Sequence, residues 1–365
     1  MQHGHIAQTT CGTSFAMTNL VSSHAHPYPS KYDSPSYTLR AFIPAQALDA
    51  YLSLRTLNID LSLIADSTSA ATIGALRMQF WRDSVARALS STPPKEPVAV
   101  LLSSAASSLS SRTDGKSHFS KSWLNRIINT REQYLHNPPY VDMAALESYA
   151  ENTYSTLLYL TLSALPLPSL TADHLASHIG KAQGIAAVLR GLPLLAFPPP
   201  PNHHSNRQGL GGAAGQFAPT SSRQGTVTLP LDIMASAGLR EEEVLRKGAA
   251  ATGLRDAVFS VATRANDHLI TAREMLRNVR AGRDVGHDFE HGDDAEHARY
   301  EVGQTWQTQA AEVERGFGVL MPAVATQMWL DRLQKADFDV FEPSLRRSDW
   351  RLPWKAYWAY TRRKL

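Results

Sequence analysis

Apolar side chains recur along most of this chain at the spacing of an α-helix. They return every three to five residues in the stretch 71–89 and every three or four in 146–165, which puts them on one helix face. The faces predicted to be buried are Ile73, Leu76, Phe80, Val85 and Leu89 in the first stretch, and Ala150, Thr153, Leu157, Leu160 and Ala164 in the second. No stretch alternates apolar and polar residues over a useful length, and no internal repeat of about 20–50 residues is present. The chain is therefore predicted to be all-α, a helical bundle in a single domain.

A long segment in the middle of the chain, from His174 to Leu231, contains no Asp or Glu. Its first part is predicted to be an apolar helix with its body at residues 174–190 and with Thr171 or Asp173 as its N-cap. Pro193 is expected to end this helix, because proline lacks an amide hydrogen and clashes with the preceding turn.

The composition excludes several classes of protein. Hydrophobic residues make up 43% of the 365 residues, enough for a sizeable core. The 36 basic residues nearly balance the 33 acidic ones, so no nucleic-acid partner is implied. The one cysteine, Cys11, rules out an internal disulfide and a multi-cysteine metal site. No run of about 18 apolar residues occurs, so we expect no transmembrane helix.

Four segments are predicted to lie outside the packed bundle. Residues 1–35 form a disordered or targeting tail, which is Ser-rich and acid-poor like a mitochondrial presequence but lacks the arginines of one. Residues 90–117, 198–225 and 281–297 are rich in Ser, Pro, Gly or charge and are expected to be flexible inserts. A short helix is expected at most within the first insert.

Five stretches in order resemble the squalene/phytoene synthase family: residues 55–85, 149–162, 178–196, 226–239 and 335–358. The resemblance covers residues 36–365 apart from the loops, and it implies an isoprenoid-synthase-like helical bundle. The phrases IGALRMQFWRDSV, YAENTYSTLLYLTL and ASHIGKAQGI are similar to a narrower branch, which assists the assembly of mitochondrial respiratory complex I.

The active members of this family use two DxxxD motifs to hold Mg²⁺ on a diphosphate, since carboxylates are the ligands that this hard ion prefers. The matching positions here are Asn58 and Ser62 in the first motif, and Gly191 and Leu195 in the second. Asp60 lies between the first two, but on a helix it points about 200° away from Asn58. We therefore expect no catalytic residue, no metal site of the family type and no cofactor.

The resemblance thus implies a non-catalytic protein that acts in complex I assembly on the matrix side of the mitochondrial inner membrane. Its expected partners are a nascent complex I subunit or other assembly factors. Two alternatives stay open, an active prenyl transferase and a carrier of an isoprenoid or another lipid. A retained small-molecule pocket would use Arg55, Arg77, Gln183 and Arg190.

The C-terminus combines aromatic and basic side chains, which is typical of contact with an anionic membrane surface. The residues that we expect to make such a contact are Trp350, Trp354, Trp358, Arg362 and Arg363. The alternative is that these aromatic rings pack on the bundle.

Two groups of histidines have the spacing of metal ligands. His174 and His178 are four residues apart on the apolar helix, but no third ligand is near in the sequence, so we expect core or cap histidines. His287, His291 and His297 lie in a segment dense in charge and glycine, and we expect a solvated loop without a rigid site.

Overall fold

The computed structural model describes residues 31–68, 70–167, 169–198, 225–291, 297 and 306–365, and these residues form helices joined by turns, without a strand. The α-helices are α1 Ser34–Leu39, α2 Ala45–Ser67, α3 Ala71–Leu89, α4 Pro97–Arg112, α5 Lys121–Gln133, α6 Met143–Ala150, α7 Thr156–Ser163, α8 Leu170–Ala196, α9 Leu231–Ser236, α10 Glu241–Lys247, α11 Leu254–Arg280, α12 Trp306–Gly316, α13 Pro322–Lys335 and α14 Leu352–Arg362. A π-helical segment, Glu151–Ser155, joins α6 to α7, and 3₁₀ turns occur at Arg40–Phe42, Gly248–Ala250, Phe317–Leu320 and Pro343–Arg346. The prediction of an all-α bundle is confirmed.

Helix α8 is the central helix of the bundle. It contacts α6, the π segment, α7, α11, α12 and α13. Apolar residues occur on all of its sides, as expected of a helix that is surrounded by others. Gly180 permits the closest approach, because a Cβ atom at this position would overlap the backbone of Ser155 in the π segment.

Both ends of α8 differ from the prediction. Its N-cap is Ser169, whose hydroxyl accepts a hydrogen bond from the Ala172 amide at 3.3 Å, so Thr171 and Asp173 lie inside the helix. The helix also continues through Pro193 to Ala196. Pro193 removes one backbone hydrogen bond, the one that an amide at this position would donate to the Leu189 carbonyl, but its own carbonyl still accepts from the Phe197 amide at 3.2 Å.

The buried face of α3 was predicted correctly only in part, at Val85, which is 1% exposed, and Leu89, which packs against the core. Ile73, Leu76 and Phe80 are exposed by 46%, 70% and 47%, although they were assigned to the core face. The residues that α3 buries are Gly74, Met78, Trp81, Ser84, Val85 and Ala88. These residues lie on one side of the helix, but they include small residues that weigh little in a hydrophobic pattern, so the larger neighbours were chosen instead.

The insert predicted at 90–117 contains a core helix. Helix α4 has 16 residues, Pro97–Arg112, and packs against α2 and α3. Its N-cap is Glu96, whose carboxylate accepts from the amides of Val98 and Ala99 at 3.0 and 2.7 Å. Its buried residues are Val98, Ala99, Leu101, Leu102, Ser103, Ala105 and Leu109. Most of the serines of this stretch, Ser107, Ser108, Ser110 and Ser111 among them, are exposed, and they made it look unstructured.

The other predicted segments have mixed outcomes. The tail up to residue 30 and residues 199–224 of the second insert lie outside the described residues. In the third insert, residues 281–291 form turns that lie against α8, with Val285 and Phe289 packed on the core. The predicted buried face of 146–165 is confirmed, since each of its five residues is at most 1% exposed.

Candidate functional site

The positions matched to the first acidic motif, Asn58 and Ser62, lie on α2 with both side-chain oxygens bonded inside the protein. The Asn58 Oδ1 atom accepts a hydrogen bond from Nη2 of Arg131 at 2.8 Å, and Arg131 also donates to the phenol oxygen of Tyr149. The Ser62 hydroxyl donates to the carbonyl of Ile59 in its own helix at 2.7 Å. The charged group at this position is therefore a guanidinium, which repels a metal cation.

Asp60 is the carboxylic acid nearest to these positions in the sequence. Burial raises the pKa of Asp60 to about 6, and the negative charge of Glu96 adds to the rise. No basic residue contributes to this shift. A lone carboxyl of this kind does not form the pair of carboxylates that a Mg²⁺ diphosphate site of the family type uses.

Arg55 and Arg77, two of the residues assigned to a pocket, are not brought together. Arg55 is 2% exposed, and neither its Nη1 nor its Nη2 atom has a hydrogen-bond partner among the described residues. The ring of Tyr51 lies 5.4 Å from its guanidinium carbon, and burial raises the pKa of that phenol to about 12. Arg77 is exposed on α3 and donates to the hydroxyl of Ser67 at 2.7 Å.

The second motif lies in the last two turns of α8. A Cβ atom at Gly191 would meet nothing within 4 Å, and Leu195 is half-buried. Arg190 is exposed, with its guanidinium carbon 5.1 Å from the centre of a Trp329 ring. Gln183 is half-buried two turns earlier, and its Oε1 atom has no partner within the described part of the chain. None of these residues offers a carboxylate.

Sequence reasoning missed a buried polar cluster between α8 and the π segment. Glu151 is 2% exposed, and its carboxylate accepts from the hydroxyls of Tyr159 and, at 2.8 Å, of Ser177. Burial raises the pKa of the Tyr159 phenol, which therefore stays a donor. One turn before Ser177 on the same helix, Asp173 lies 3.4 Å from Nε2 of the buried His297. The cluster ties the third insert to the core.

Three histidines converge near the N-terminal end of α8. The Nε2 atom of His287, from the loop after α11, lies 3.0 Å from Nε2 of His174 and 3.0 Å from Nε2 of His178. The three ring nitrogens are all within 4.8 Å of one another. The expectation of a core histidine is confirmed for His174, which is 4% exposed. The loop that was expected to be solvated supplies the third imidazole of the cluster, 109 residues along the chain from His178.

A second line of polar groups supports this cluster. The Nδ1 atom of His178 lies 3.0 Å from Nδ1 of His268 on α11, and Nε2 of His268 lies 3.0 Å from the carboxylate of Glu147. Burial by itself raises the pKa of Glu147, but hydrogen bonds from His268 and Arg264 outweigh it and hold that pKa at about 2. Burial and the neighbouring imidazoles lower the pKa of His178 to about 2 and that of His174 to about 4.

Further contacts fix the loop that carries His287. The Phe289 ring stacks on His174 at 4.9 Å, with an angle of 29° between the planes. Lys181, whose side chain is 7% exposed, donates to the carboxylate of Glu290 at 2.7 Å. Both histidine groups were visible in the sequence, but nothing in it indicated that His287 would join His174 and His178.

The C-terminal helix α14 presents aromatic rings to solvent. Trp350, Trp354, Tyr357 and Trp358 are exposed by 73%, 65%, 52% and 54%, so the alternative that these rings pack on the bundle does not describe them. The guanidinium carbon of Arg362 lies 5.0 Å from the ring centre of Trp358. No helix of the described residues is both long enough and apolar enough to span a bilayer.

Arg363 faces the bundle instead of joining this surface. Its guanidinium carbon lies 5.2 Å from the ring centre of Phe317, and its Nε atom lies 3.4 Å from the carboxylate of Glu314. A cleft of about 510 Å³ lies between α14 and its neighbours, next to the aromatic surface. Its charged lining residues are Arg273, Asp331, Lys355, Arg362 and Lys364. This surface is therefore both aromatic and mainly basic.

Comparison with known proteins identifies the family. The family model described as "Squalene/phytoene synthase" matches residues 30–196 and 218–358. The chain is 34% identical to "NADH dehydrogenase (ubiquinone) complex I, assembly factor 6" of Mus musculus, over 90% of this chain and 78% of that protein. Identity to the protein of the same name from Homo sapiens is 31% over the same shares. A homologue from Drosophila melanogaster is 26% identical over 92% of this chain and 82% of its own.

Solved structures share the fold at low sequence identity. A dehydrosqualene synthase superposes with a TM-score of 0.62 and 12% identity, covering 96% of this chain and 98% of its own. The squalene synthase HpnC from Alicyclobacillus acidocaldarius gives a TM-score of 0.59 and 10% identity, covering 90% and 96%. The helical bundle described above is thus the fold of these enzymes, and the chain belongs to the squalene/phytoene synthase family.

Proposed function

We propose that this protein is a member of the family without prenyl-transferring activity that acts in the assembly of mitochondrial respiratory complex I. The observation that carries the proposal is the 34% identity, over 90% of the chain, to a protein named as a complex I assembly factor. The proposed mechanism is non-covalent. The bundle binds a nascent complex I subunit or another assembly factor and releases it unchanged.

The chemistry at the motif positions supports a role without catalysis. Ionising a prenyl diphosphate requires Mg²⁺, which is bound by carboxylates and phosphate oxygens. In this chain the amide of Asn58 accepts from Arg131, and Gly191 has no side chain. Neither position can supply a negatively charged ligand, so the proposed protein keeps the fold and lacks the reaction.

An exposed apolar stripe on α3 is the surface that we assign to the protein partner. Ile73, Leu76 and Phe80 are 46%, 70% and 47% exposed and recur at three and four residues. Apolar rows of this kind are used by helices that dock into a groove or receive another helix. A nascent membrane subunit offers an apolar helix before its assembly, which fits such a stripe.

The aromatic face of α14 supports attachment to the matrix side of the inner membrane. Trp350, Trp354 and Trp358 are suited to the headgroup region, where one part of the ring system meets lipid and another meets water. The basic cleft beside them attracts anionic headgroups. The attachment is peripheral, and no nucleic acid takes part in it.

The proposal is tested by gene deletion followed by native gel electrophoresis of the respiratory complexes. We expect complex I to be lost or stalled in the deletion strain and restored by the wild-type gene. The Leu76→Glu variant should fail to restore it. The matched Val141→Glu variant, which changes a side chain that is also 70% exposed but outside α3, should succeed. Intact complex I in the deletion strain would defeat the proposal.

A second candidate function is the binding of an anionic lipid or an isoprenoid phosphate, and it rests on Arg55. A buried guanidinium with two unbonded nitrogens is costly unless an anion accepts from them. Mass spectrometry of extracts from the purified protein should then find a phosphate-bearing lipid that the Arg55→Gln variant has lost. Extracts without such a lipid would remove this candidate.

A further inference from the structure

His174, His178 and His287, near the N-terminal end of α8, have the geometry of a ligand set for a transition metal. A tetrahedral ion with metal–nitrogen bonds of about 2.0–2.1 Å holds its ligand nitrogens about 3.3 Å apart. Two of the three Nε2 pairs here are 3.0 Å apart, and all three ring nitrogens lie within 4.8 Å. We propose that His174, His178 and His287 bind one divalent transition metal ion of the Zn²⁺ class.

Hydrogen bonds alone do not satisfy these three nitrogens. The Nε2 atom of His287 faces two other Nε2 atoms at 3.0 Å, and a ring nitrogen carries either one proton or one lone pair. One proton makes a good hydrogen bond to only one of the two neighbours. The remaining contact then brings two lone pairs, or two protons, together. A metal ion accepts all three lone pairs at once.

The residues behind the cluster fix the tautomer that a metal needs. When a neutral His268 donates a hydrogen bond from Nε2 to the ionised Glu147, its Nδ1 atom is left as an acceptor. The Nδ1 atom of His178, at 3.0 Å, must then be the donor, so its Nε2 atom holds a lone pair that faces His287. In zinc sites a carboxylate commonly accepts a hydrogen bond from the other ring nitrogen of a ligating histidine and so orients it. In this protein the imidazole of His268 lies between the carboxylate of Glu147 and His178.

The position of the cluster gives an ion access. His174 is buried, His178 is half-buried and His287 is exposed, so the site opens to solvent on the loop side. Lys181 is the nearby cation, and its ion pair with Glu290 at 2.7 Å offsets its charge. Three protein nitrogens leave a fourth position for water. The bound ion would also join the loop after α11 to α8.

Metal binding by the full chain, purified without a histidine tag and treated with a chelator, tests the proposal. We expect calorimetry with Zn²⁺ to find one equivalent, and Co²⁺ to give the visible absorption of tetrahedral coordination. His287→Ala should weaken binding by at least about 100-fold, since it removes a ligand, and Glu147→Gln by about 10–100-fold, since it weakens the contact that orients His178 through His268. His136→Ala, at an exposed histidine outside the cluster, should change nothing.

The exposed position of His287 in a loop means that His287→Ala should fold, and circular dichroism checks this. Failure of the wild-type chain to bind one equivalent would overturn the proposal. Equal affinity in the wild-type and His287→Ala proteins would overturn it too, because the ion would then lie on other histidines. The outcome does not depend on the proposed role in complex I assembly.

Discussion

At the scale of single residues, Glu151 shows how strongly one buried carboxylate can hold two elements together. Replacing it with alanine removes the acceptor for the hydroxyls of Tyr159 and Ser177. Each buried hydroxyl that is left without an acceptor destabilises the folded protein by about 1–3 kcal/mol. We expect Glu151→Ala to lower the free energy of unfolding by about 3 kcal/mol, as measured by urea denaturation.

The matched control is Glu274→Ala on α11, where the side chain is 60% exposed and its ion pair with Arg277 is 3.9 Å long. Such a surface pair is worth less than about 1 kcal/mol, so the control should unfold close to the wild type. If Glu151→Ala is as stable as this control, the buried cluster does not stabilise the fold.

Asp60 gives a prediction for the pH dependence of stability. Burial and Glu96 raise its pKa to about 6 from 3.8, so its stabilising contribution is complete below pH 3.8 and is lost as the pH rises through 6. Asp60→Asn should therefore be more stable than wild type at pH 7.5, by about 1–2 kcal/mol after allowing for partial exposure.

Most of the gain of Asp60→Asn should vanish near pH 4, because the wild-type carboxyl is then protonated in the folded protein and partly protonated in the unfolded chain. Urea denaturation at the two pH values measures it, with exposed Asp83→Asn as the control that should change little at either. An equal effect of Asp60→Asn at pH 4 and pH 7.5 would contradict the raised pKa.

Which of these residues can be found from the sequence depends on how far their partners lie along the chain. The sequence alone shows that positions 58 and 191 carry Asn58 and Gly191 and no acidic residue. Arg131, which donates to Asn58, is 73 residues away, and His287 is 113 residues from His174. Only the packing of α2, α5, α8 and the loop brings such pairs together.

At the scale of elements, two glycines of α8 should respond in opposite ways to the same substitution. A Cβ atom at Gly180 would overlap Ser155, whereas one at Gly191 meets nothing within 4 Å. Gly180→Ala should lose about 2 kcal/mol or more through overpacking, although alanine is the better helix former. Gly191→Ala should gain up to about 1 kcal/mol. The midpoints of chemical denaturation measure both, and a stabilised Gly180→Ala would contradict the close helix contact.

The aromatic face of α14 predicts salt-sensitive binding to a membrane. Wild-type protein should bind vesicles that contain anionic lipid, and the variant with Trp350, Trp354 and Trp358 all changed to alanine should bind at least about 10-fold more weakly. High salt should release the wild type, because screening weakens attraction to the lipid surface. Phe80→Ala, at an exposed ring on α3, is the control in the same vesicle sedimentation assay. Equal sedimentation of all three proteins would exclude this role for α14.

Helix positions were predicted better than helix faces. The stretch 71–89, predicted to be helical, is α3 with the same bounds. The face of α3 could not be found in this way, because the residues that it buries include Gly74 and Ala88 as well as large side chains. A pattern weighted by hydrophobicity favours large apolar side chains, wherever they point.

At the scale of the whole molecule, the bundle and its central helix were predictable, and the loop that completes the histidine cluster was not. Helical period and family resemblance both imply a bundle, and its fold matches that of the synthases. The segment 281–291 has the composition of a solvated loop, yet Phe289, His287 and Glu290 each contact α8. A few specific contacts therefore hold a segment that composition alone describes as flexible.

We expect that the whole protein, although it has the synthase fold, does not ionise a prenyl diphosphate. Incubation of the purified protein with a prenyl diphosphate and Mg²⁺ should release no diphosphate above the protein-free rate. Adding Mg²⁺ should not raise the melting temperature either, because a ligand stabilises only a protein that binds it. An active dehydrosqualene synthase serves as the positive control. Asn58→Ala should behave like the wild type, since the amide is not a metal ligand. Mg²⁺-dependent release of diphosphate that Asn58→Ala abolishes would show that the site around Asn58 remains active.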